Sequence, residues 1–344
     1  MGNGLCCIPK KQSRGAVVSR SKRSSRSQRK LIVEDDLLHR QALAMAIQQH
    51  QLSQRFDGSM SRRIGSTSSR RLTPPTSFRH QVPIVLDNLE TKKIILVHGE
   101  GFGAWCWYKI MPLIEEAGVD PVALDLTGSG VDHKDANSVM TLADYSKPLL
   151  DYLHGLHEDE KVILVGHSCG GASVSYALEH FPKKITKAIF LGATMVSDGQ
   201  RPFDVFTEEL ASAEVFLQES QLLLYANGKD NPPTGLMFNK EQLKELYFNH
   251  SSSKDIALAS VSMRPIPLAP IMEKLSLTAE NYGSVRRYFI QTLDDRMLSP
   301  DAQEKLVRRN PPHQVFKLKG SDHCPFFSKP QSLCKILLEI MQLS

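Results

Sequence analysis

The chain lacks any apolar run approaching the ~18–20 residues that a membrane-spanning helix requires, so no such helix is expected in its 344 residues. No repeat recurs at the periods of solenoids or propellers. Cysteine is sparse: Cys6, Cys7, Cys106, Cys169, Cys324 and Cys334 show neither metal-ligand spacing nor a dense disulfide pattern. Free thiols in a reducing compartment are the economical reading. Acidic residues are absent before Glu34, and residues 1–90 carry 16 Lys and Arg against 6 Asp and Glu. The remaining 254 residues carry 26 against 31. The formal charge of +5 therefore belongs to an N-terminal extension and not to the body. The body has no basic helix or aromatic–basic cluster, so a nucleic-acid partner is not expected. Apolar residues make up 41%, ample for a core.

The basic extension (1–90) supports two addresses, and a tail with no address is the third reading. Ser- and Arg-rich, acid-poor composition suits a plastid transit peptide. Alternatively Gly2 accepts myristate and Cys6 and Cys7 accept palmitate beside a polybasic segment, associating the chain with the cytoplasmic face of a membrane. Cys6 stands where the usual myristoylation signal has Ser or Thr. Residues 34–51 fit one amphipathic helix, and 58–78 read as linker. The folded domain is expected from near Thr91, giving 91–344 as one domain.

Within that body, apolar segments recur with helical stretches between them: "KIILV" (93–97), "PVALD" (121–125), "KVILV" (161–165), "KAIFLG" (187–192), "RRYFIQ" (286–291) and "HQVFKLKG" (313–320). Such alternation predicts an α/β fold, a mostly parallel sheet flanked by helices. The rhythm breaks between 195 and 283, where 203–224 and 239–248 read as helices of an inserted cap, or of the main domain itself.

The stretch "ILVGHSCGG" (163–171) carries G-x-S-x-G between a strand and a predicted helix ended by Pro182. This is the setting of a nucleophile elbow, although a plain glycine-rich connection reads the same way out of context. A serine nucleophile needs a base, a group to orient that base, and donors for an oxyanion. Asp294 and Asp295 follow one strand candidate and His323 the next, at the carboxyl ends where open sheets place function. Serine, acid, histidine is the chain order of α/β-hydrolases. The stretch "ILVHGEGFGAWCW" (95–107) brings the backbone N–H of Glu100 toward that of Cys169 as an oxyanion hole. A phosphate loop at His98-Gly99 is not expected, since neither GK[ST] nor G-x-G-x-x-G follows.

Four stretches together, "VHGEGFGAWCWYKIMPLIEEAGVDPVALDLTGSGVD" (97–132), "KVILVGHSCGG" (161–171), "SKDIALASVSMRP" (253–265) and "GSDHCPFFSKPQSLCKILLEI" (320–340), resemble the plant methylesterase family. That family contains the salicylate-binding methyl esterases and is close to the plant hydroxynitrile lyases. The basic extension is similar to that of its subgroup named chloroplastic, which favours a chloroplast address. The resemblance implies an α/β-hydrolase fold with a lid and hydrolysis of the methyl ester of jasmonate, indole-3-acetate or salicylate. It also implies Ser168 as nucleophile, His323 as general base and Asp295 as orienter, because the family's acid lies 28 positions before its histidine. Gly99, His167 and Cys324 stand where the lyases carry Thr, Glu and Lys, which favours the esterase. Glu100 departs from many relatives, which are small there, and is expected to narrow the pocket or repel an acid product.

The chemistry needs no cofactor and no metal. Trp105 and Trp107 serve either as pocket walls or as packing. The competing reading is a hydrolase-fold hormone receptor with little turnover; lyase activity is a third. The small-molecule ester is the expected partner, and a homodimer stays open.

Overall fold

The computed structural model describes residues 89–207 and 221–343. The chain divides into two units, Met1–Arg79 and His80–Ser344. The first unit, with the expected helix at 34–51 and both candidate addresses, lies outside the described residues.

Six strands form the main sheet: β1 (Lys93–Val97), β2 (Asp120–Leu124), β3 (Val162–His167), β4 (Ile185–Leu191), β8 (Arg286–Thr292) and β9 (Gln314–Leu318). Their order is β2-β1-β3-β4-β8-β9, and every pairing is parallel. A parallel sheet is covered on both faces, which is why its inner strands read as unbroken apolar runs. The alternation of side chains across a strand explains the rest. Ile94 and Leu96 point into one buried cluster with Ile110, Ile114, Leu333 and Leu337. Ile95 and Val97 point into a second with Leu149, Leu153, Val174 and Leu178. Helices α1 (Ile110–Glu116) and α10 (Pro330–Gln342) cover the first face, while α2 (Leu142–His154) and α3 (Gly170–His180) cover the second. The edge strand β9 exposes Gln314 and Lys317, as an edge should.

Between β4 and β8 the chain leaves the sheet. It forms α4 (Pro202–Thr207), β5 (Gln221–Leu224), β6 (Gly235–Phe238), α5 (Lys240–Leu246), α6 (Ser253–Ser262), β7 (Ile266–Pro267) and α7 (Leu268–Met272). The reading of 203–224 as helical is corrected here, because its last four residues are strand β5. The strands β5, β6 and β7 form a three-stranded antiparallel sheet in which Leu223 pairs with Leu236. Leucine favours helix when considered locally, but pairing with a strand beyond the Asn- and Gly-containing turn overrides that preference. A short helix, α8 (Pro300–Arg309), follows β8, and α9 (Pro325–Ser328) follows β9.

Candidate active site

The central strand β3 runs straight into Ser168, whose φ is 50°. It is the non-glycine residue with positive φ among the described residues. That conformation costs an L-residue about 1–2 kcal/mol, so the surroundings must enforce it. They do: the Ser168 carbonyl accepts from the N–H groups of Gly171 and Thr194, each at 3.0 Å. At Gly170 a Cβ would lie 2.4 Å from the His98 carbonyl oxygen, so glycine is required for α3 to start this close to β1. The strain lifts Ser168 out of the strand line and turns it toward the loops at the carboxyl ends of β8 and β9.

Those loops deliver the partners expected from the sequence. His323 Nε2 is 2.9 Å from Ser168 Oγ, and His323 Nδ1 is 2.8 Å from Asp295 Oδ2. A proton on Nδ1 donates to Asp295, which leaves Nε2 free to accept from the serine. All three side chains are buried, with Ser168 and His323 at 0% exposure. Asp294 is exposed and uses its backbone, its N–H donating to Ser321 and its carbonyl accepting from Asn249. Between the two adjacent aspartates, Asp295 is therefore the one within reach of the histidine.

Asp295 is held in turn. Its Oδ2 accepts from Thr292 Oγ1 at 2.8 Å, and its Oδ1 accepts from the N–H groups of Met297 and Leu298. Gln303 on α8 locks Thr292 from both sides, accepting from its N–H and donating to its Oγ1. On the histidine side, Asp322 accepts from His250 N–H, Ser251 Oγ, Cys324 N–H and Ser328 Oγ. This one carboxylate ties the inserted segment to the loop that carries His323. The residue before the nucleophile contributes as well, since His167 Nε2–H donates to the His323 carbonyl at 2.8 Å. Burial, and next the charge of His323, hold His167 well below the usual histidine range, so it stays neutral. For His323 itself burial opposes the charged form, but Asp295, Glu100 and Asp322 outweigh it and raise the pKa.

The oxyanion region differs from the expectation. The side chain of Glu100 lies inside it: Oε2 accepts from the Cys169 N–H at 3.1 Å, and Oε1 accepts from Ser168 Oγ at 3.0 Å. Tyr247, from the end of α5, donates its hydroxyl to Oε1 at 2.7 Å. His323 Nε2 stands 3.9 Å from the same oxygen. The Cys169 N–H, expected as an oxyanion donor, is thus engaged by this carboxylate. His98 is structural: it accepts from the Leu126 N–H through Nε2 and donates from Nδ1 to the Gly99 carbonyl. Burial depresses its pKa, consistent with that neutral tautomer.

Phe102 centres the apolar surround, with ring contacts to Trp105, His167, Tyr247, Phe248 and Phe326. Trp107 is fully buried against Phe326 and His167, so it is packing, whereas Trp105 is half-buried and stacks on Phe327. Cys106, Cys169, Cys324 and Cys334 are free thiols. Among the described residues no cluster of three His, Cys, Asp or Glu side chains is arranged to hold a metal ion. Sequence reasoning missed Tyr247, Asp322, Thr292 and Gln303. Their only signal was polar type near a motif, and their partners lie up to 147 residues away.

A parallel αβα sandwich with a strained serine after its central strand and a histidine–aspartate pair on later loops defines an α/β-hydrolase. Residues 94–336 match the Alpha/beta hydrolase family. The chain is 65% identical to the Arabidopsis thaliana protein named "Putative methylesterase 12, chloroplastic", over 100% of both chains. It is 37% identical to methyl jasmonate esterase 1 of Vitis vinifera, over 73% of this chain and 97% of that one. The crystal structure of a methylesterase protein MES16 from Arabidopsis matches with a TM-score of 0.65 at 36% identity, covering 72% of this chain and 98% of that one. The chain belongs to the plant methylesterase family and is a carboxylic ester hydrolase.

Proposed function

We propose that this enzyme hydrolyses the methyl ester of a small plant hormone, jasmonate, indole-3-acetate or salicylate, through Ser168, His323 and Asp295. The observation that carries the reading is the unbroken pair of contacts from Asp295 to His323 and from His323 to Ser168, at 2.8 and 2.9 Å. In this reading Ser168 Oγ attacks the ester carbonyl while His323 Nε2 takes its proton. Negative charge develops on the carbonyl oxygen and is met by the backbone N–H groups of Cys169 and Glu100. Methanol leaves with the proton held by His323. Water, deprotonated by the same imidazole, then releases the acid and restores the serine. Asp295 fixes the tautomer and stabilises the imidazolium that forms twice per turnover.

Lyase chemistry is disfavoured on packing grounds. A Cβ at Gly99 would meet His167 Nδ1 and Ser168 Cβ, each at 2.8 Å, so the threonine of the lyases has no room beside this elbow. The test is methanol release from the three methyl esters by the full chain. Multiple turnover on at least one, reduced by about three or more orders of magnitude in Ser168→Ala, is the expected result. Tight binding of a free acid without methanol release would replace the esterase reading with a receptor.

The chloroplast is the proposed location, supported by the names of relatives that match over the full length. Mass spectrometry of the mature N-terminus is expected to find the basic extension shortened. A retained Gly2 bearing myristate would overturn this in favour of an anchor.

A further inference from the structure

Ser168 has one hydroxyl proton and two acceptors within reach, His323 Nε2 at 2.9 Å and Glu100 Oε1 at 3.0 Å. The second oxygen of the same carboxylate takes the Cys169 N–H, the donor that an ester carbonyl oxygen needs in the transition state. A carboxylate has two oxygens in a fixed plane, one beside the nucleophile and one on the hole. The acid product of the reaction would offer the same shape. Glu100 is 4% exposed and Tyr247, itself fully buried, holds Oε1 at 2.7 Å. Burying a carboxylate is unfavourable unless donors surround it, and here the donors are those of the active site. With Glu100 seated, the serine's proton can point at a group that is not its base, and the Cys169 donor of the hole is taken.

We propose that the Glu100 carboxylate is the resident occupant of the oxyanion hole. It competes with the ester carbonyl for the Cys169 N–H and so sets the reactivity of Ser168 toward esters. The proposal rests on the reading of Ser168 as the nucleophile. Every ester must displace Glu100 before attack, so this residue lowers turnover for all of them relative to a chain that is small at position 100. Tyr247 is a positioning residue in this scheme, since it touches Glu100 and holds it in place.

The test compares the full chain with Glu100→Ala, Tyr247→Phe and Ser168→Ala, using p-nitrophenyl acetate turnover and the rate of labelling by a fluorophosphonate. In the labelling step Ser168 Oγ bonds to phosphorus, fluoride departs, and the hydroxyl proton leaves through His323. The phosphoryl oxygen enters the same hole, so labelling reads its availability. Removing one oxyanion donor typically costs on the order of a hundredfold to a thousandfold. Vacating a contested donor is accordingly expected to raise both rates roughly tenfold to a hundredfold in Glu100→Ala. Tyr247→Phe is expected to raise them by a smaller factor, and Ser168→Ala is expected to be silent in both assays. Glu100→Ala rates equal to or below wild type, with Ser168→Ala silent, would overturn the occupancy while leaving the nucleophile intact. Labelling of Ser168→Ala at the wild-type rate would overturn both. If Glu100→Ala fails to fold by circular dichroism, Tyr247→Phe decides: faster labelling upholds the proposal, and unchanged or slower labelling overturns it.

Discussion

His323 is where charge, burial and chemistry meet. It faces Asp295 on the β8 loop, Glu100 on the β1 loop and its own neighbour Asp322, together with neutral His167, Tyr247 and Cys324. Burial disfavours the imidazolium, and the three carboxylates more than offset it, so the pKa lies above the ordinary 6.5. Only neutral imidazole can take the serine proton. The rate must therefore climb with pH through this raised pKa, and the acid limb of kcat/KM is expected above 6.5. Removing an anion weakens the imidazolium, so Glu100→Gln is expected to move that limb to lower pH. A limb that stays put in the variant would mean Glu100 does not act on His323. The linked stability has a matching sign. A folded-state pKa raised above the unfolded value stabilises the fold below about 6.5 and loses that contribution as pH rises through the folded pKa. The adjacent aspartates give a sharper residue-scale contrast. Asp295→Asn is expected to lower kcat by about four orders of magnitude through the wrong imidazole tautomer, while Asp294→Asn stays near wild type. Steady-state kinetics on one methyl ester checks both.

At the scale of elements, the inserted segment is joined to the core by two aspartates with several donors each. Asp322 gathers His250 and Ser251 from before α6 and Cys324 and Ser328 from around α9. Asp255, in the first turn of α6, pairs with Lys109 at 2.7 Å and accepts from Tyr108 and Ser252. Burial works against the charge on Asp255, but its hydrogen bonds from Lys109, Ser252 and Tyr108 hold its pKa below the usual carboxylate range. Lys109 and Tyr108 both reach solvent, so Asp255→Ala leaves no stranded charge. The loss is then about 1.5–3 kcal/mol of charge-assisted hydrogen bonding. That corresponds to a fall in Tm of several degrees for a domain of this size, measurable by thermal melts. The elements themselves were unequally legible. The six strands of the main sheet stood out because both faces are covered and each inner strand is a continuous apolar run. Helix α3 was legible from its spacing and from Pro182. Strand β5 was not, because its pairing with β6 lies across a turn and no local pattern distinguishes "QLLL" from helix. The site divides in the same way. Ser168, His323 and Asp295 sit at motif positions beside strands, whereas the Glu100 side chain acquires its role from Tyr247, 147 residues on.

At the scale of the molecule, charge separates two parts of the chain that chemistry also separates. Residues 1–90 hold 16 of the 42 basic residues and 6 of the 37 acidic ones, while Glu100, Ser168, Asp295 and His323 all lie in the body. The methyl jasmonate esterase of Vitis vinifera is matched over 97% of its length by 73% of this chain, and MES16 over 98% by 72%. The Alpha/beta hydrolase match, at residues 94–336, lies wholly after the basic extension. Removing residues 1–79, the whole of the first unit, is accordingly expected to leave kcat/KM on a methyl ester within about twofold and Tm nearly unchanged, since the hydrolase match begins only at residue 94. Side-by-side kinetics and melts of the two proteins provide the measurement. A large loss in either would mean that the basic extension packs on the hydrolase body and is part of the enzyme. Retention of both would place its contribution outside catalysis and the stability of the hydrolase body.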